Sequence, residues 1–295
     1  MTSSRENKTW TMLQILNWTA AYLERKGIEH GRLNAERMLG HALGKSRLEL
    51  YLEHDRPLAP DELATYKSLL RKRSNGLPLQ YVLGETEFFS LPFSMRPPVL
   101  IPRPETEILV QAALDRLRGM EGPLTVADVG TGCGNIAVAL ASNLHTLTIY
   151  ATDCSSEAVA LAEENARRNR VSDFITFLRG DLLSPLESLS LSNGLHAILS
   201  NPPYVRTDEW DALPSESRDH ESRTALDGGP DGLRFYRKLT ACIDRYLAPE
   251  GFLAVEVGDG QSEAVQKILR SKSDLRKMEV IEDLNGIARV IVATT

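Results

Sequence analysis

Two adjacent prolines follow an apolar run in the stretch "LSNPPYV", residues 199–205. Proline has no N–H group and a fixed φ, so it cannot continue a central strand, and the residue before a proline is held extended. The tetrapeptide Asn201-Pro202-Pro203-Tyr204 is therefore predicted to be a stiff, extended segment at the end of a strand, with its carbonyl groups pointing outwards. Such a segment is suited to hold a planar group that carries N–H bonds.

The chemistry expected of this tetrapeptide is group transfer to a planar nitrogen. An amide or exocyclic amino nitrogen is a poor nucleophile because its lone pair is delocalised. Two acceptors aimed at its two N–H bonds hold the nitrogen and favour its partly positive form in a transition state. The side-chain oxygen of Asn201 and the carbonyl oxygen of Pro202 are the predicted acceptors. Pro203 fixes that carbonyl, and Tyr204 offers a planar face that also attracts a cation.

Three further strand ends carry polar or glycine residues. "DVGTGCGN" places Gly130, Gly132 and Gly134 between an apolar strand and a helix, Asp153 ends the next strand, and Asp181 ends the third. Ligands of open α/β sheets bind beyond the carboxyl ends of the strands. The glycines allow close approach of the backbone, Asp153 is placed to accept hydrogen bonds from ribose hydroxyls, and Asp181 from an adenine amino group.

These strand ends together predict a nucleoside ligand. The glycine spacing differs from that of a dinucleotide site, and the sequence contains no nucleoside triphosphate loop of the G-x-x-x-x-G-K-[ST] type. No cluster of His, Cys or Asp has metal-ligand spacing, so no metal is expected. The simplest nucleoside without a phosphate is S-adenosylmethionine, whose methyl group is the group to be transferred.

The elements that must position these residues fall into two patterns. Apolar residues at helical spacing predict a small helical bundle, with helices through Leu13–Leu23, from about Asn34 to Gly44, and after Pro60, where Asp61 is the expected cap. From residue 124 onwards, strands alternate with helices, which indicates a mainly parallel sheet with helices on both faces. Between these parts, residues 81–98 alternate apolar and polar residues as a hairpin does.

Composition and charge exclude several classes. The chain has 295 residues and a net charge of −6, which argues against a generic nucleic-acid binder. Residues 1–80 carry 13 Lys and Arg against 9 Asp and Glu, hence +4, so the remainder carries −10. The apolar runs are too short for a membrane span, and the first ten residues lack an apolar signal core, so we expect a cytoplasmic protein.

Several stretches together make the sequence similar to the HemK/PrmC family, the peptide chain release factor N5-glutamine methyltransferases. Besides "DVGTGCGNIAVALA" and "LSNPPYV", they are "PLQYVLGETEFFSLPF", "VLIPRPETE", "ALDGGPDGLRFYRKL", "EVGDGQ" and "NGIARV". The resemblance implies a class I S-adenosylmethionine-dependent methyltransferase fold, Rossmann-like, with a mainly parallel seven-stranded sheet. It further implies methylation of the glutamine amide nitrogen in the Gly-Gly-Gln motif of class 1 release factors by in-line methyl transfer.

The resemblance also implies roles for domains and residues. Residues 1–76 are expected to form a helical domain that docks the release factor, with the basic run Arg71–Arg73 as its contact patch, residues 77–98 a hairpin connector, and residues 99–295 the catalytic domain of a monomer. The implied cofactor-binding residues are Gly130, Thr131, Gly132, Cys133, Gly134, Asp153, Asp181, Leu182 and Asn201. The implied substrate-binding residues are Asn201, Pro202, Pro203, Tyr204 and Leu100, with Asn201, Pro202 and Tyr204 catalytic.

Other interpretations stay open at this point. A nucleic-acid adenine or guanine N-methyltransferase also holds a flipped planar amino group with an Asn/Asp-Pro-Pro-Tyr segment. A non-catalytic protein that retains the fold is a second alternative, because fold does not prove function. A dinucleotide oxidoreductase fits least, since Asn201–Tyr204 would have no role in it. For Arg103 and Glu105, a structural ion pair explains the residues as well as a role in binding.

Overall fold

The computed structural model describes residues 10–189, 191, 194–272 and 275–295. The chain divides into two compact units, Met1–Gly84 and Glu85–Thr295. Within the described ranges, every helix is too short or too polar to span a lipid bilayer.

The first unit is helical, as its periodicity predicted. Its first three helices in the described range are α1 (Met12–Arg25), α2 (Gly31–Leu43) and α3 (Arg47–Leu52). Both α1 and α3 begin with capping boxes, in which the side chains of Thr11 and Ser46 accept hydrogen bonds from the N–H groups of Gln14 and Glu49. Gly44 ends α2 in the left-handed conformation, with φ 62°, as expected of a terminal glycine. The helices α4 (Pro60–Ser74) and α5 (Leu79–Leu83) follow.

Two expectations for α4 were wrong. Its cap position is Ala59 rather than Asp61, because Pro60 is the first helical residue and Glu62 accepts a hydrogen bond from the Ala59 N–H at 2.8 Å. The basic run at the end of the helix is not one exposed patch. Arg73 is 4% exposed and its Nε donates to Asn34 Oδ1 at 2.6 Å, so only its two predecessors face solvent.

The second unit begins with a hairpin and continues as alternating strands and helices. Its strands are β1 (Glu85–Phe88), β2 (Leu91–Ser94), β3 (Leu124–Val129), β4 (Leu147–Asp153), β5 (Ile175–Arg179), β6 (Leu195–Ser200), β7 (Val205–Arg206), β8 (Asp227–Gly229), β9 (Leu247–Glu256), β10 (Lys277–Glu282) and β11 (Ala288–Thr294). Its helices are α6 (Thr106–Leu117), α7 (Asn135–Asn143), α8 (Ser156–Arg168), α9 (Ser215–His220), α10 (Arg223–Leu226), α11 (Arg234–Cys242) and α12 (Ser262–Leu269).

A seven-stranded sheet with the order β10-β11-β9-β6-β3-β4-β5 forms the centre of this unit. The five strands β9, β6, β3, β4 and β5 are parallel, and β11 pairs antiparallel with both β9 and β10. The predicted mainly parallel sheet is thus confirmed. Strand order reverses next to β3, so the carboxyl ends of β3, β4 and β6 surround the crevice where ligands of such sheets bind.

The hairpin β1–β2 turns at Phe89 and Ser90, whose φ values of 52° and 59° suit a tight two-residue turn. Asn165 of α8 holds it: its Oδ1 accepts from Ser94 N–H at 2.7 Å, and its Nδ2 donates to the Cys133 carbonyl at 2.9 Å. The first compact unit extends to Gly84, because α5 follows the polar stretch "RSNGLP" at residues 73–78 and packs against α4.

Helix α6 was missing from the sequence interpretation, which began the alternating pattern only at residue 124. Its apolar face includes Leu109, Ala113 and Leu117, all at most 1% exposed. The helix begins directly after Pro104-Glu105, so the stretch "IPRPETE" is a helix entrance rather than only a loop. This helix brings Thr106 to the sheet edge that carries Asn201.

Candidate active site

The turn after β3 approaches its neighbours through backbone atoms. Gly130, Gly132 and Gly134 have φ values of 76°, 56° and 84°, which side chains rarely adopt. The N–H groups of Gly130 and Thr131 donate to the Thr152 carbonyl at 2.8 and 2.9 Å. A Cβ at Gly134 would lie 3.0 Å from that of Ala162, so glycine is required there for close packing of α8.

Asp153 fastens this turn to the end of β4. Its Oδ2 accepts from Gly132 N–H at 2.9 Å, and its Oδ1 accepts from Ser155 N–H at 2.9 Å. Ser155 in turn caps α8 by accepting from the Ala158 N–H. Each carboxylate oxygen has further acceptor capacity, so Asp153 can fix the loop and still accept a hydroxyl.

Beneath the turn, buried side chains support it from the protein side. Thr131 is 1% exposed and donates to Asp128 Oδ2 at 2.6 Å, and the Ala137 N–H donates to the same oxygen. Burial raises the pKa of Asp128 to about 7. Cys133 is also 1% exposed, and burial raises the pKa of its thiol to about 12, which leaves it unreactive.

A cavity of about 340 Å³ lies at these strand ends. Of the residues singled out in the sequence, it is lined by Leu100, Gly130, Gly132, Asp153, Asp181, Leu182, Asn201, Pro202 and Pro203. Thr131, Cys133, Gly134 and Tyr204 are not among its lining residues. The turn therefore contributes its backbone to the cavity, whereas its side chains serve the interior.

The far end of the cavity combines acidic, basic and aromatic side chains. Lys238 Nζ lies 3.2 Å from Asp181 Oδ2 and 6.0 Å from the centre of the Phe235 ring, and Phe235 and Leu182 also line the cavity. The backbone of Leu182 has φ 51°, and its carbonyl accepts from Thr152 Oγ1 at 2.8 Å. Phe235 and Lys238 were not expected from the sequence. The stretch "LRFYRKL" could have indicated them, because helical spacing puts Phe235 and Lys238 on one face of a helix.

The Asn-Pro-Pro-Tyr segment leaves β6 at the boundary between this cavity and a recess of about 20 Å³. Asn201, Pro202, Pro203 and Leu100 line both spaces, and Tyr204 lines the recess. The extended strand end predicted from the two prolines is present, because β6 stops at Ser200. Tyr204 is partly buried, and this burial raises the pKa of its phenol to about 12.

Glycines of two motifs pack closely against this segment. A Cβ at Gly228 would lie 2.7 Å from the Pro203 carbonyl oxygen, and one at Gly232 would lie 2.4 Å from the Tyr204 carbonyl oxygen. A Cβ at Gly258 would lie 2.9 Å from the Tyr204 ring. These contacts explain why "ALDGGPDG" and "EVGDGQ" accompany "NPPY" in one chain: side chains there would displace Pro203 and Tyr204.

Two polar residues stabilise the same segment by hydrogen bonds from the protein interior. Gln261 Nε2 donates to the Tyr204 carbonyl at 2.8 Å. Thr106 Oγ1 accepts from Asn201 Nδ2 at 3.0 Å and donates to Glu256 Oε2 at 2.6 Å. Sequence reasoning missed Thr106, Glu256 and Gln261, because their partners lie far away along the chain and no local spacing reveals them.

The stretch Ile101–Glu107 connects several neighbours of the recess. Arg103 lines the recess and donates to both carboxylate oxygens of Glu221, at 2.8 and 2.9 Å. Burial raises the pKa of Glu221, and Arg103 opposes this rise. Glu107 accepts from the Phe89 N–H at 2.7 Å and so joins α6 to the hairpin. Arg103 therefore forms a structural ion pair, but its partner is Glu221 rather than Glu105, and its position at the recess leaves a role in binding open.

The residues lining the cavity fit S-adenosylmethionine. A Cβ at Gly130 or Gly132 would project into open space, so the bare backbone leaves room for a ligand against it. Asp153 offers acceptors for ribose hydroxyls, and Leu182 with Phe235 offers apolar walls for a planar base. Among the described residues there is no group of three His, Cys, Asp or Glu side chains that could hold a metal ion.

Fold and site together define a methyltransferase of the Rossmann-like kind. A crystal structure of a methyltransferase from Pyrococcus furiosus has a TM-score of 0.51 with this chain at 17% identity, covering 70% of this chain and 90% of that one, and this likeness shows the fold. The model of the PrmC N-terminal domain matches residues 14–84, and the model of the methyltransferase small domain matches residues 105–217.

Relatives in sequence identify the family. The chain is 42% identical over 282 residues to a release factor glutamine methyltransferase of Geobacter sulfurreducens, covering 96% of each chain. It is 41% identical over 283 residues to one of Moorella thermoacetica, covering 96% of this chain and 98% of the relative. The chain belongs to the family of release factor glutamine methyltransferases, and the resemblance stated from its motifs is confirmed.

Proposed function

We propose that this enzyme transfers a methyl group from S-adenosylmethionine to the side-chain amide nitrogen of the glutamine in the Gly-Gly-Gln motif of class 1 release factors. The observation that supports this proposal most directly is the position of Asn201 between the cavity and the recess. Its side chain borders both the cavity and the recess, and its Nδ2 is engaged by Thr106. Its oxygen is thereby directed away from Thr106 and is able to accept from a substrate amide.

The cavity residues have distinct tasks in binding the methyl donor. Asp153 would accept from the ribose hydroxyls, and the turn Gly130–Gly134 would hold the donor through the backbone of Gly130 and Gly132, which line the cavity. Asp181 and Leu182 would hold the adenine, and Asp181, now 3.2 Å from Lys238, has acceptor capacity for its amino group. The donor supplies an electrophilic methyl group on a sulfonium, and its product is S-adenosylhomocysteine.

The tetrapeptide Asn201–Tyr204 prepares the glutamine nitrogen. The Asn201 oxygen and the Pro202 carbonyl accept its two N–H bonds, which holds the nitrogen and stabilises positive charge as the new N–C bond forms. Leu100 and Tyr204 enclose the planar amide and limit its orientations. The reaction is an in-line transfer: the S–C bond breaks as the N–C bond forms, and a proton then leaves the nitrogen to solvent.

The first unit is the proposed docking surface for the release factor. Arg71 and Lys72 are exposed at the end of α4, and the basic balance of residues 1–80 suits an acidic partner surface. Reversing both charges is expected to raise KM for the intact release factor by about tenfold. Steady-state kinetics measure this, and unchanged kinetics would exclude the patch as a contact.

The function is tested by incubating the protein with labelled S-adenosylmethionine and a recombinant bacterial release factor, followed by peptide mass spectrometry. A single methyl group on the Gly-Gly-Gln glutamine is expected. Asn201→Ala should lower the rate by about 1,000-fold, since it removes an acceptor that acts in the transition state. Label on tRNA, rRNA or DNA but not on the release factor would replace the proposal by a nucleic-acid methyltransferase. Cofactor binding without transfer to any of them would favour a non-catalytic protein.

A further inference from the structure

Two consecutive hydrogen bonds connect the side chain of Asn201 to the protein interior, and the roles proposed above do not include them. Asn201 Nδ2 donates to Thr106 Oγ1 at 3.0 Å, and Thr106 Oγ1 donates to Glu256 Oε2 at 2.6 Å. The three residues come from the end of β6, the start of α6 and the end of β9. Thr106 is 1% exposed and Glu256 2% exposed, so water does not compete with these bonds.

The direction of these bonds follows from the number of protons. An ionised carboxylate only accepts hydrogen bonds, and a hydroxyl has one proton to give. Because Thr106 gives its proton to Glu256, its oxygen can only accept from Asn201. The NH₂ group of Asn201 must therefore face Thr106, and its oxygen must face the other way. In the opposite orientation, the NH₂ group of Asn201 would meet the NH₂ group of the glutamine, donor against donor.

We propose that Thr106 and Glu256 are positioning residues that fix the side-chain amide of Asn201 with its oxygen towards the incoming nitrogen. This inference rests on the proposed function, because it assigns the orientation that the proposed acceptor needs. Neither residue touches the substrate, since neither lines the cavity or the recess. They determine which atom of Asn201 the substrate meets.

A consequence for pH follows from the surroundings of Glu256. Burial, and secondarily Glu105, raises the pKa of this carboxyl to about 7, and Arg289 and the two hydroxyl donors oppose the rise. A protonated Glu256 can donate to Thr106, which then can donate to the Asn201 oxygen and reverse the amide. The turnover rate should therefore fall as the pH falls below about 7. The groups that face Glu256 are Thr106, Glu105, Tyr204, Tyr236 and Arg289.

Two substitutions of one residue separate positioning from packing. Thr106→Val keeps the shape and removes the hydroxyl, whereas Thr106→Ser keeps the hydroxyl and loses a methyl group. Positioning predicts that the valine variant loses about 100-fold in kcat on the release factor with KM nearly unchanged, and that serine retains kcat within about threefold. Thr240→Val is the matched control, because Thr240 is 2% exposed and its hydroxyl has no partner among the described residues.

The opposite order, with valine active and serine impaired, would make Thr106 a packing residue and overturn the inference. A kcat that falls equally in Thr240→Val would do the same. The pH profile adds a further readout: Glu256→Gln cannot ionise, so the decline below pH 7 should disappear in this variant. A decline that persists unchanged in Glu256→Gln contradicts the assignment of that group.

A measurement without substrate keeps this inference separate from the proposed function. In nuclear magnetic resonance spectra, the Asn201 side-chain NH₂ signals are assigned by their loss in Asn201→Ala. One of its protons should exchange with water about tenfold more slowly than those of exposed Asn285, in the wild type and in Thr106→Ser but not in Thr106→Val. Fast exchange in the wild type overturns the inference, even where the release factor is methylated. Slow exchange supports it, even where another molecule proves to be the substrate.

Discussion

The glycine turn at residues 130–134 and the segment Asn201–Tyr204 are both loops at the carboxyl end of a strand, but they are built differently. The turn is held by backbone bonds to Thr152 and by the carboxylate of Asp153, both at the end of β4, with Asp153 only 21 positions after Gly132. The second segment is held by residues from α6, β9 and the glycine motifs, up to 95 positions away in the chain. A short stretch of sequence suffices to build the first loop, whereas the second requires the whole unit.

This difference matches what each loop has to do. A turn that binds a ligand through its backbone tolerates changes in its side chains, provided that the glycines remain. A loop that must present one oxygen atom in one orientation needs partners that remove every alternative orientation. We therefore expect distant substitutions to impair transfer through the second loop and to affect cofactor affinity little.

Among the substitutions that compare the two loops without touching a substrate-binding residue or the hydrogen bonds behind Asn201, the largest effect is expected from Gly232→Ala. Its Cβ would meet the Tyr204 carbonyl oxygen and Gln261 Nε2 at 2.4 Å, and both belong to the support of the tetrapeptide. The clash displaces Tyr204 and should lower kcat by about 100-fold, while titration calorimetry should give an S-adenosylmethionine affinity within about threefold of the wild type.

Gly260→Ala is the matched control for this change. Gly260 has φ 71°, close to the 73° of Gly232, but a Cβ there meets open space. It should therefore suffer only the strain of a left-handed residue, about 1 kcal/mol of unfolding free energy measured by denaturant titration. Equal loss of kcat in both variants would mean that backbone strain, and not the clash with Tyr204, causes the loss.

An intermediate effect is expected at the turn itself. Asp153→Asn replaces one acceptor by a donor, so it weakens the bond to the Gly132 or Ser155 N–H and the contact to a ribose hydroxyl. We expect an affinity about tenfold lower in titration calorimetry, with kcat at saturating cofactor much less affected. Asp173→Asn, at an exposed aspartate far from the cavity, is the control. A loss in kcat alone would mean that the two loops are coupled.

The difference between the two loops also explains which features of the protein could be predicted from its sequence. Alternating strands and helices and a strand end just before Asn201 follow from neighbouring residues, and the structure bears both out. The glycine turn was recognisable because its requirement, a positive φ, belongs to single residues. Helix α6 was missed because its start lies within a proline-rich stretch that suggests an irregular loop.

What could not be predicted depends on contacts between distant segments. Thr106 and Glu256 are 150 positions apart, and nothing in the spacing of either predicts a hydrogen bond between them. Arg73 looked like part of a basic patch, but its burial follows from Asn34 on another helix. Neighbouring residues predict the elements of this fold and the position of its site, and tertiary packing decides the orientation of each side chain.

The smallest effect is expected from Cys133→Ala, within the turn. The thiol is 1% exposed and does not line the cavity, so the change removes one buried sulfur and leaves the backbone. Stability should fall by about 1 kcal/mol, and the affinity for S-adenosylmethionine should change by less than about twofold. Thiol labelling gives an independent check, because exposed Cys154 should react in the folded protein and Cys133 only after unfolding. A cofactor affinity that drops tenfold, with stability unchanged, would show that this loop also binds through a side chain, and the contrast between the two loops would no longer hold.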